Sequence, residues 1–324
     1  MNRKKRLSGI WLMSMALLSL GAFTVFFVAQ MWLNILFTVY LLLVLCQFAA
    51  LNIYMLGPEK LTGRPLQILY KLLYASSFLV IPTFFFIFSG LVSQYHVNIP
   101  DSIDASNIPV SKILPEEHTV VYNTGTAYII FPEYTSIDLV CKDRPKKSDE
   151  SITWCSGAAF QHAVSIGFTH ENIEGDHASG GQLYKSPHHK NAYAAFTFSE
   201  GDFSFEFDNE AEAIKGCAAK GGSGFMQFGL IRDRASVMNF DRPRSRCYRA
   251  LAELNGNICI IDTARMMHFN EFMSELQRLG VTNAVYMDMG AGWNYSWYRN
   301  AAGKVVTLFG LPVPWSHNWV VFRK

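Results

Sequence analysis

The stretch AVYMDMGAGWNYSWYRN, residues 284–300, sets a carboxylate, a run with almost no side chains and an aromatic cluster back to back. Asp288 closes an apolar run that reads as a buried strand, and a carboxylate at a strand end is held rigidly. Gly290 and Gly292, around Ala291, let backbone amides come close to a ligand, and successive amides make an anion-binding concavity. Trp293 and Trp297 offer flat faces to a sugar ring, with Asn294 beside them. The combination suits a ligand both sugar-like and anionic. The competing reading is a glycine-rich turn whose aromatics pack a core.

A second stretch, HENIEGDHASGG (170–181), places His170, Glu171, Asn172, Glu174, Asp176 and His177 within eight residues, ahead of a Ser-Gly-Gly turn. It is expected to be a polar loop supplying acid/base groups, against the plainer alternative of a solvated loop. A metal set of His170, Asp176 and His177 matches no established zinc spacing, so neither metal nor cofactor is expected. Ser179 lacks the strand-turn-helix setting of a nucleophilic serine. Third, Arg249 sits among the apolar residues of CYRALAEL, which is costly unless it is paired. Its planar fork suits a phosphate or a carboxylate, and the bland version is a structural pair with an Asp or Glu.

The elements that must position these groups read as follows. HTVVYN, TAYIIF, SIDLV and SITWCSGAAF are strand-like, and NAYAAFTFS with DFSFEF forms a hairpin across EGD. NEAEAIKGCAAKGG reads as a helix stopped by glycine, with the strand GFMQFGLI after it. CYRALAEL and NICIIDT make a hairpin around Asn255-Gly256. HFNEFMSELQRLG puts Phe269, Phe272, Met273, Leu276 and Leu279 on one helical face, and Gly280 ends it. The fold class expected for residues 118–324 is α+β, with a mixed, mostly antiparallel sheet and few helices.

The N-terminal third reads differently. Residues 1–94 carry seven Lys/Arg against Glu59 alone, while the remainder holds 21 basic and 25 acidic residues. The slight basicity therefore belongs to the apolar part and does not indicate nucleic acid, which calls for a basic face on the folded domain. Apolar runs at 8–30, 31–56 and 72–94 are each long enough, at about 20 residues, to cross a bilayer. They predict a three-helix membrane anchor over 1–95, able to self-associate, followed by a proline-spaced linker at 96–117. Basic residues at the N-terminus and around Lys60, Arg64 and Lys71 orient it with the N-terminus cytoplasmic and the C-terminal domain periplasmic or extracellular. No charged residue lies deep in the spans, which argues against transport. Outside, disulfides are permitted, but five cysteines there mean that at least one thiol stays free or pairs elsewhere.

With these stretches in order, residues 118–324 resemble the phosphodiester glycosidase family. The likeness is carried by Arg249 in YRALAELNGNICIID, by the helix from about Asn270 to Leu279, and by Asn283, Asp288, Gly290 and Gly292 in NAVYMDMGAGW. CSGAAF, with Gly157 and Phe160, echoes an upstream family motif, and Asn318 in SHNWVVF matches a late asparagine. Met289 and Ala291 replace two glycines of the family's triple-glycine motif, Trp293 replaces a serine, and Cys155 or Ser156 an asparagine.

The resemblance implies a hydrolase acting on a sugar-1-phosphodiester of envelope or extracellular glycans. In that scheme Asp288 activates water or stabilises an oxocarbenium-like transition state, and Arg249 clamps the phosphate. Gly290 and Gly292 cradle it, while Glu174, Asp176 and His177 supply acid/base groups. Trp293, Asn294, Asn172 and Asn318 contact the sugar. Two alternatives keep the fold without turnover: a glycan-binding domain and an assembly protein of a membrane complex.

Overall fold

The computed structural model describes residues 10–17, 19, 35–56, 63–79, 99, 101–108, 118–162, 168–191, 193–238, 245–289, 295–309 and 317–324. The chain divides into two compact units, Met1–Ser93 and Gln94–Lys324.

In the first unit, the 10–19 segment contacts helix α1 (Ile35–Leu56) and the 3-10 turn, Ser77–Leu79, that follows helix α2 (Arg64–Ser76). Gln47 is fully buried, and its Oε1 accepts from Ser19 Oγ at 2.7 Å. Trp11 Nε1 donates to Ser77 Oγ at 3.0 Å and its ring stacks on Phe78. The expected membrane anchor is corrected by this unit. Among the described residues, no helix is long and apolar enough to cross a membrane. Apolar composition alone suggests spans, and much of the runs at 8–30 and 72–94 lies outside the described residues. Gln47 and Asn52 fall within α1, and Gln47 ties it to a neighbouring helix. Helix α2 begins at Arg64, well ahead of the span expected at 72–94, and Gln67 and Lys71 lie on it. The integral-membrane location and its orientation rest on those helices and are corrected with them.

The second unit is mostly β-sheet, which corrects the expected α+β class headed by three membrane helices. Its eight-stranded sheet runs, neighbour to neighbour, through Ile103–Asp104 (β1), Val120–Asn123 (β2), Ala127–Phe131 (β3), Asn257–Thr263 (β14), Arg249–Leu254 (β13), Asn283–Tyr286 (β15), Gly229–Arg232 (β11) and Ala235–Ser236 (β12). A second sheet is built from Gln182–Tyr184 (β7), His177–Ser179 (β6), Ser223–Gln227 (β10), Ala194–Ser199 (β8) and Asp202–Glu206 (β9). The third holds Val305–Phe309 (β17), Ser296–Arg299 (β16), Ile152–Gly157 (β5), Asn318–Arg323 (β18) and Ser136–Cys141 (β4).

Period-two alternation explains why the three sheets share one core. Leu251, Ile260 and Val285 of the first sheet, Phe196 and Phe225 of the second, and Leu139, Trp154 and Phe322 of the third all bury into one cluster. The opposite face of the first sheet, with Ala250, Ile261 and Ala284, packs on helix α4 (Phe269–Arg278) through Phe269, Phe272, Met273 and Leu276. Helix α3 (Glu210–Ala219) covers the outer face of the second sheet through Ile214 and Ala218. Turn chemistry fixes the registers. Asn255 and Gly256 both take positive φ, which a tight hairpin of this kind requires, and leave Leu254 opposite Asn257. The six cysteines are free thiols.

Candidate functional site

The segment that leaves β5, residues 157–162, is where distant parts of the second unit meet. Ala158 N donates to Asn318 O at 3.3 Å, and Ala159 N to Asn318 Oδ1 at 2.7 Å. Asn318 Nδ2 returns a bond to Ala159 O at 3.1 Å, so one fully buried amide satisfies both backbone groups. Asp288 N donates to Ala158 O at 2.9 Å, and Gln227 Nε2 reaches the same carbonyl at 3.4 Å. On the far side, Glu174 N donates to Phe160 O at 2.8 Å and His162 N to Asn172 O at 2.8 Å. A strand end, a strand start and a turn are thereby pinned together by main-chain and amide bonds.

Arg249 is fully buried on the core face, its guanidinium 5.8 Å from the Trp154 ring centroid. Nε donates to Asp262 Oδ1 at 2.5 Å and Nη2 to Asp262 Oδ2 at 2.7 Å, a bidentate pair directly across the β13–β14 ladder. Nη1 also donates to Ser156 Oγ, and Nη2 to Ser296 Oγ at 3.1 Å. The fork thus joins the first sheet to β5 and β16 of the third. Asp288, half-buried, follows Tyr286 and Met287. Met287 N donates to Arg249 O at 3.0 Å, so Met287 lies beside Arg249 and shares its core with Leu251 and Val285. Burial, and then the charge of Asp288, push the Tyr286 phenol well above its ordinary range. Asp288 and Arg249 come from neighbouring ends of the paired strands β15 and β13, but the guanidinium points into the core on Asp262.

The 168–191 segment is folded more tightly than a loop. A 3-10 turn, His170–Asn172, is closed by a capping box in which Asn172 Oδ1 accepts from Thr169 N at 2.8 Å. Strands β6 and β7 follow as a hairpin across Gly180 and Gly181, both with positive φ. The carboxylates hold this hairpin in place. Glu174, buried, accepts from Asn191 N at 2.6 Å and Asn191 Nδ2 at 3.1 Å. Asp176, also buried, accepts from Ser186 N at 3.1 Å and Lys185 Nζ at 2.5 Å. Asn172, Glu174 and Asp176 therefore organise the segment through bonds they already make.

His177 is fully buried, and burial pulls its pKa down to about 4, which keeps the imidazole neutral. Its Nε2 lies 2.9 Å from His170 Nδ1, while its Nδ1 faces Gly175 O at 3.4 Å. The Tyr184 ring stacks on His170 at 3.5 Å, nearly parallel. Cys141, at the end of β4, completes a compact group with these two histidines. Its thiol is pushed up to about 12 by burial, with an opposing pull from Ser179. Sequence reasoning passed over Cys141 because it lies about 30 residues upstream, in a stretch with no ligand-like spacing. Four more histidines gather nearby: His162 packs on His188 at 3.9 Å, His317 stacks on Phe168, and His189 faces Asp176.

The structure thus brings Asp288, Asn318, Asn172 and Glu174 around the 157–162 segment through main-chain or amide bonds, and leaves Arg249 in the core. Gly290, Gly292, Trp293 and Asn294 lie outside the described residues. An open cleft of about 660 Å³, with Ser102, Asp104, Asn123 and Arg278 in its lining, contains none of the candidate site residues named from sequence.

No family model matches the chain, and no curated relative matches it in sequence. Among solved structures, it is similar to the catalytic domain of zebrafish N-acetylglucosamine-1-phosphodiester alpha-N-acetylglucosaminidase, auto-inhibited by its pro-peptide. The two are 13% identical, with 69% of this chain and 87% of that chain covered and a TM-score of 0.43. At that distance the likeness amounts to a structural relationship at most, and no function follows from it.

Proposed function

We propose that the Gln94–Lys324 unit hydrolyses a sugar-1-phosphodiester at the anomeric carbon. The reacting centre is assigned to the end of β15, beside the 157–162 segment and the start of β18. One observation carries this reading. The four stretches that gave the sequence its family resemblance are linked in the fold by direct bonds. Arg249 reaches Ser156 of CSGAAF, Met287 N reaches Arg249 O, Asp288 N reaches Ala158 O, and Asn318 holds Ala159. The sheet ladders β18–β5 and β13–β15 bring these residues, up to 160 positions apart in the chain, to one place.

In this scheme water adds to C1, the C1–O bond breaks, and the electron pair leaves with the phosphate monoester. The Asp288 carboxylate takes the water proton or supports the oxocarbenium-like charge. A phosphate leaves readily, so little acid help is required. Arg249 acts as a positioning residue rather than a clamp, because Asp262 already occupies its fork. The amides of the Gly290-Ala291-Gly292 stretch are assigned to the phosphate instead.

The test is to incubate the full-length chain with a nucleotide-linked sugar-1-phosphate in H₂¹⁸O. The reading expects free sugar carrying the label at its anomeric hydroxyl. Label on phosphate would mean P–O cleavage, and binding without product would mean a lectin-like unit; either result overturns the proposal.

A further inference from the structure

We propose that Cys141, His170 and His177 bind one thiophilic first-row metal ion, in the first instance zinc, between edge strand β4 and the β6–β7 hairpin. This inference is independent of the hydrolase reading. One ligand atom from each residue lies within 4.8 Å of the other two, and His170 Nδ1 is 2.9 Å from His177 Nε2. A tetrahedral ion with bonds of about 2.0–2.3 Å needs nitrogen and sulfur ligands about 3.3–3.7 Å apart. The two nitrogens must open slightly, and the sulfur, at most 4.8 Å from them, must close by no more than about an ångström, within the reach of side-chain rotation.

The three ligands come from separate stretches, and each is held by its own fastening. Ser179 Oγ donates to Leu139 O at 2.6 Å, which ties β6 to β4 two residues before Cys141. The capping box fixes the turn that begins at His170, and the parallel Tyr184 ring restrains the rotation of its imidazole. With Nδ1–H directed at the Gly175 carbonyl, His177 Nε2 accepts the His170 Nδ1–H, and a shift of that proton to His170 Nε2 turns both nitrogens toward an ion. A backbone carbonyl on the second ring nitrogen is the usual way to orient a metal-binding histidine. Asp176, adjacent in sequence, is engaged with Ser186 and Lys185 and leaves the third place to sulfur.

The donor set decides the chemistry. One thiolate and two imidazoles suit zinc or copper and do not suit calcium or magnesium, which take oxygen ligands. Binding displaces the thiol proton into solvent, so an M²⁺ ion with one thiolate and two neutral imidazoles leaves the site at +1. Three protein ligands leave a fourth position for water or another small ligand, reached from the half-exposed His170 side.

The experiment uses the full-length chain, stripped with a chelator, loaded separately with Zn²⁺, Cu²⁺ and Co²⁺, desalted and assayed for bound metal. Wild type is expected to retain about one equivalent, and Cys141→Ser and His170→Ala each to lower retention at least about tenfold. The Co²⁺ form should show a thiolate charge-transfer band that Cys141→Ser abolishes. His188→Ala, outside the set, should retain the metal, and circular dichroism should show that His170→Ala stays folded. Copper retained in preference to zinc, with the same loss on substitution, supports the site and reassigns the ion. No retention by wild type, or equal retention by Cys141→Ser and His170→Ala, overturns the proposal.

Discussion

Arg249 and Asp262 face each other across the β13–β14 ladder and share two guanidinium–carboxylate hydrogen bonds in a fully buried position. An isolated charge there is strongly penalised, whereas the pair, extended to Ser156 and Ser296, is satisfied. Arg249→Met leaves the Asp262 carboxylate stranded and is expected to cost about 3–5 kcal/mol in urea unfolding. Arg249→Met combined with Asp262→Leu should cost less than the two single changes added together, with a coupling of at least about 1 kcal/mol. Strict additivity would show that the pair holds nothing together.

Asn318 makes an equally local prediction. Its side chain serves both the N–H and the C=O of Ala159, so Asn318→Ala leaves two buried backbone groups without that partner. A loss of about 2 kcal/mol is expected, with faster amide hydrogen exchange in the 157–162 segment. Unchanged exchange there would remove Asn318 from its positioning role.

A pH effect follows from Glu275 on α4. Arg278 first, then Thr126 and Thr124, hold its carboxyl at about 2, below its ordinary value of 4.5, with burial opposing them. A depressed folded pKa gives stability that is fully present above about 4.5 and is lost as pH falls toward about 2. Because Arg278 is exposed, the effect is screened to about 2 kcal/mol or less. Glu275→Gln should flatten the wild-type fall in unfolding free energy between pH 4.5 and 2; an unchanged slope would contradict the assignment.

Much of the second unit was legible in the sequence where local chemistry is strong. Asn255-Gly256 dictates its hairpin by positive φ at both positions, and the 3.6-residue spacing of Phe269, Phe272, Met273 and Leu276 dictates the buried face of α4. The 170–181 stretch was read as a loop because its polar residues show no alternation; glycines at 180 and 181 nonetheless make it a hairpin. Arg249 reads in sequence as either a ligand contact or half of a structural pair, because its partner, Asp262, is opposite in register but 13 positions away in sequence. The membrane spans follow from mean hydropathy over long runs, whereas among the described residues no helix is long and apolar enough to cross. The Cys141–His170–His177 group is invisible to any spacing rule, since the sheet packing of β4 against β6 creates it.

The most direct test of the account compares turnover of a nucleotide-linked sugar-1-phosphate by the full-length chain and by Asp288→Asn. The account predicts a drop of about 10²–10⁴ in kcat, with substrate binding and the unfolding transition retained. An Asp288→Asn chain that turns over substrate at the wild-type rate would contradict it.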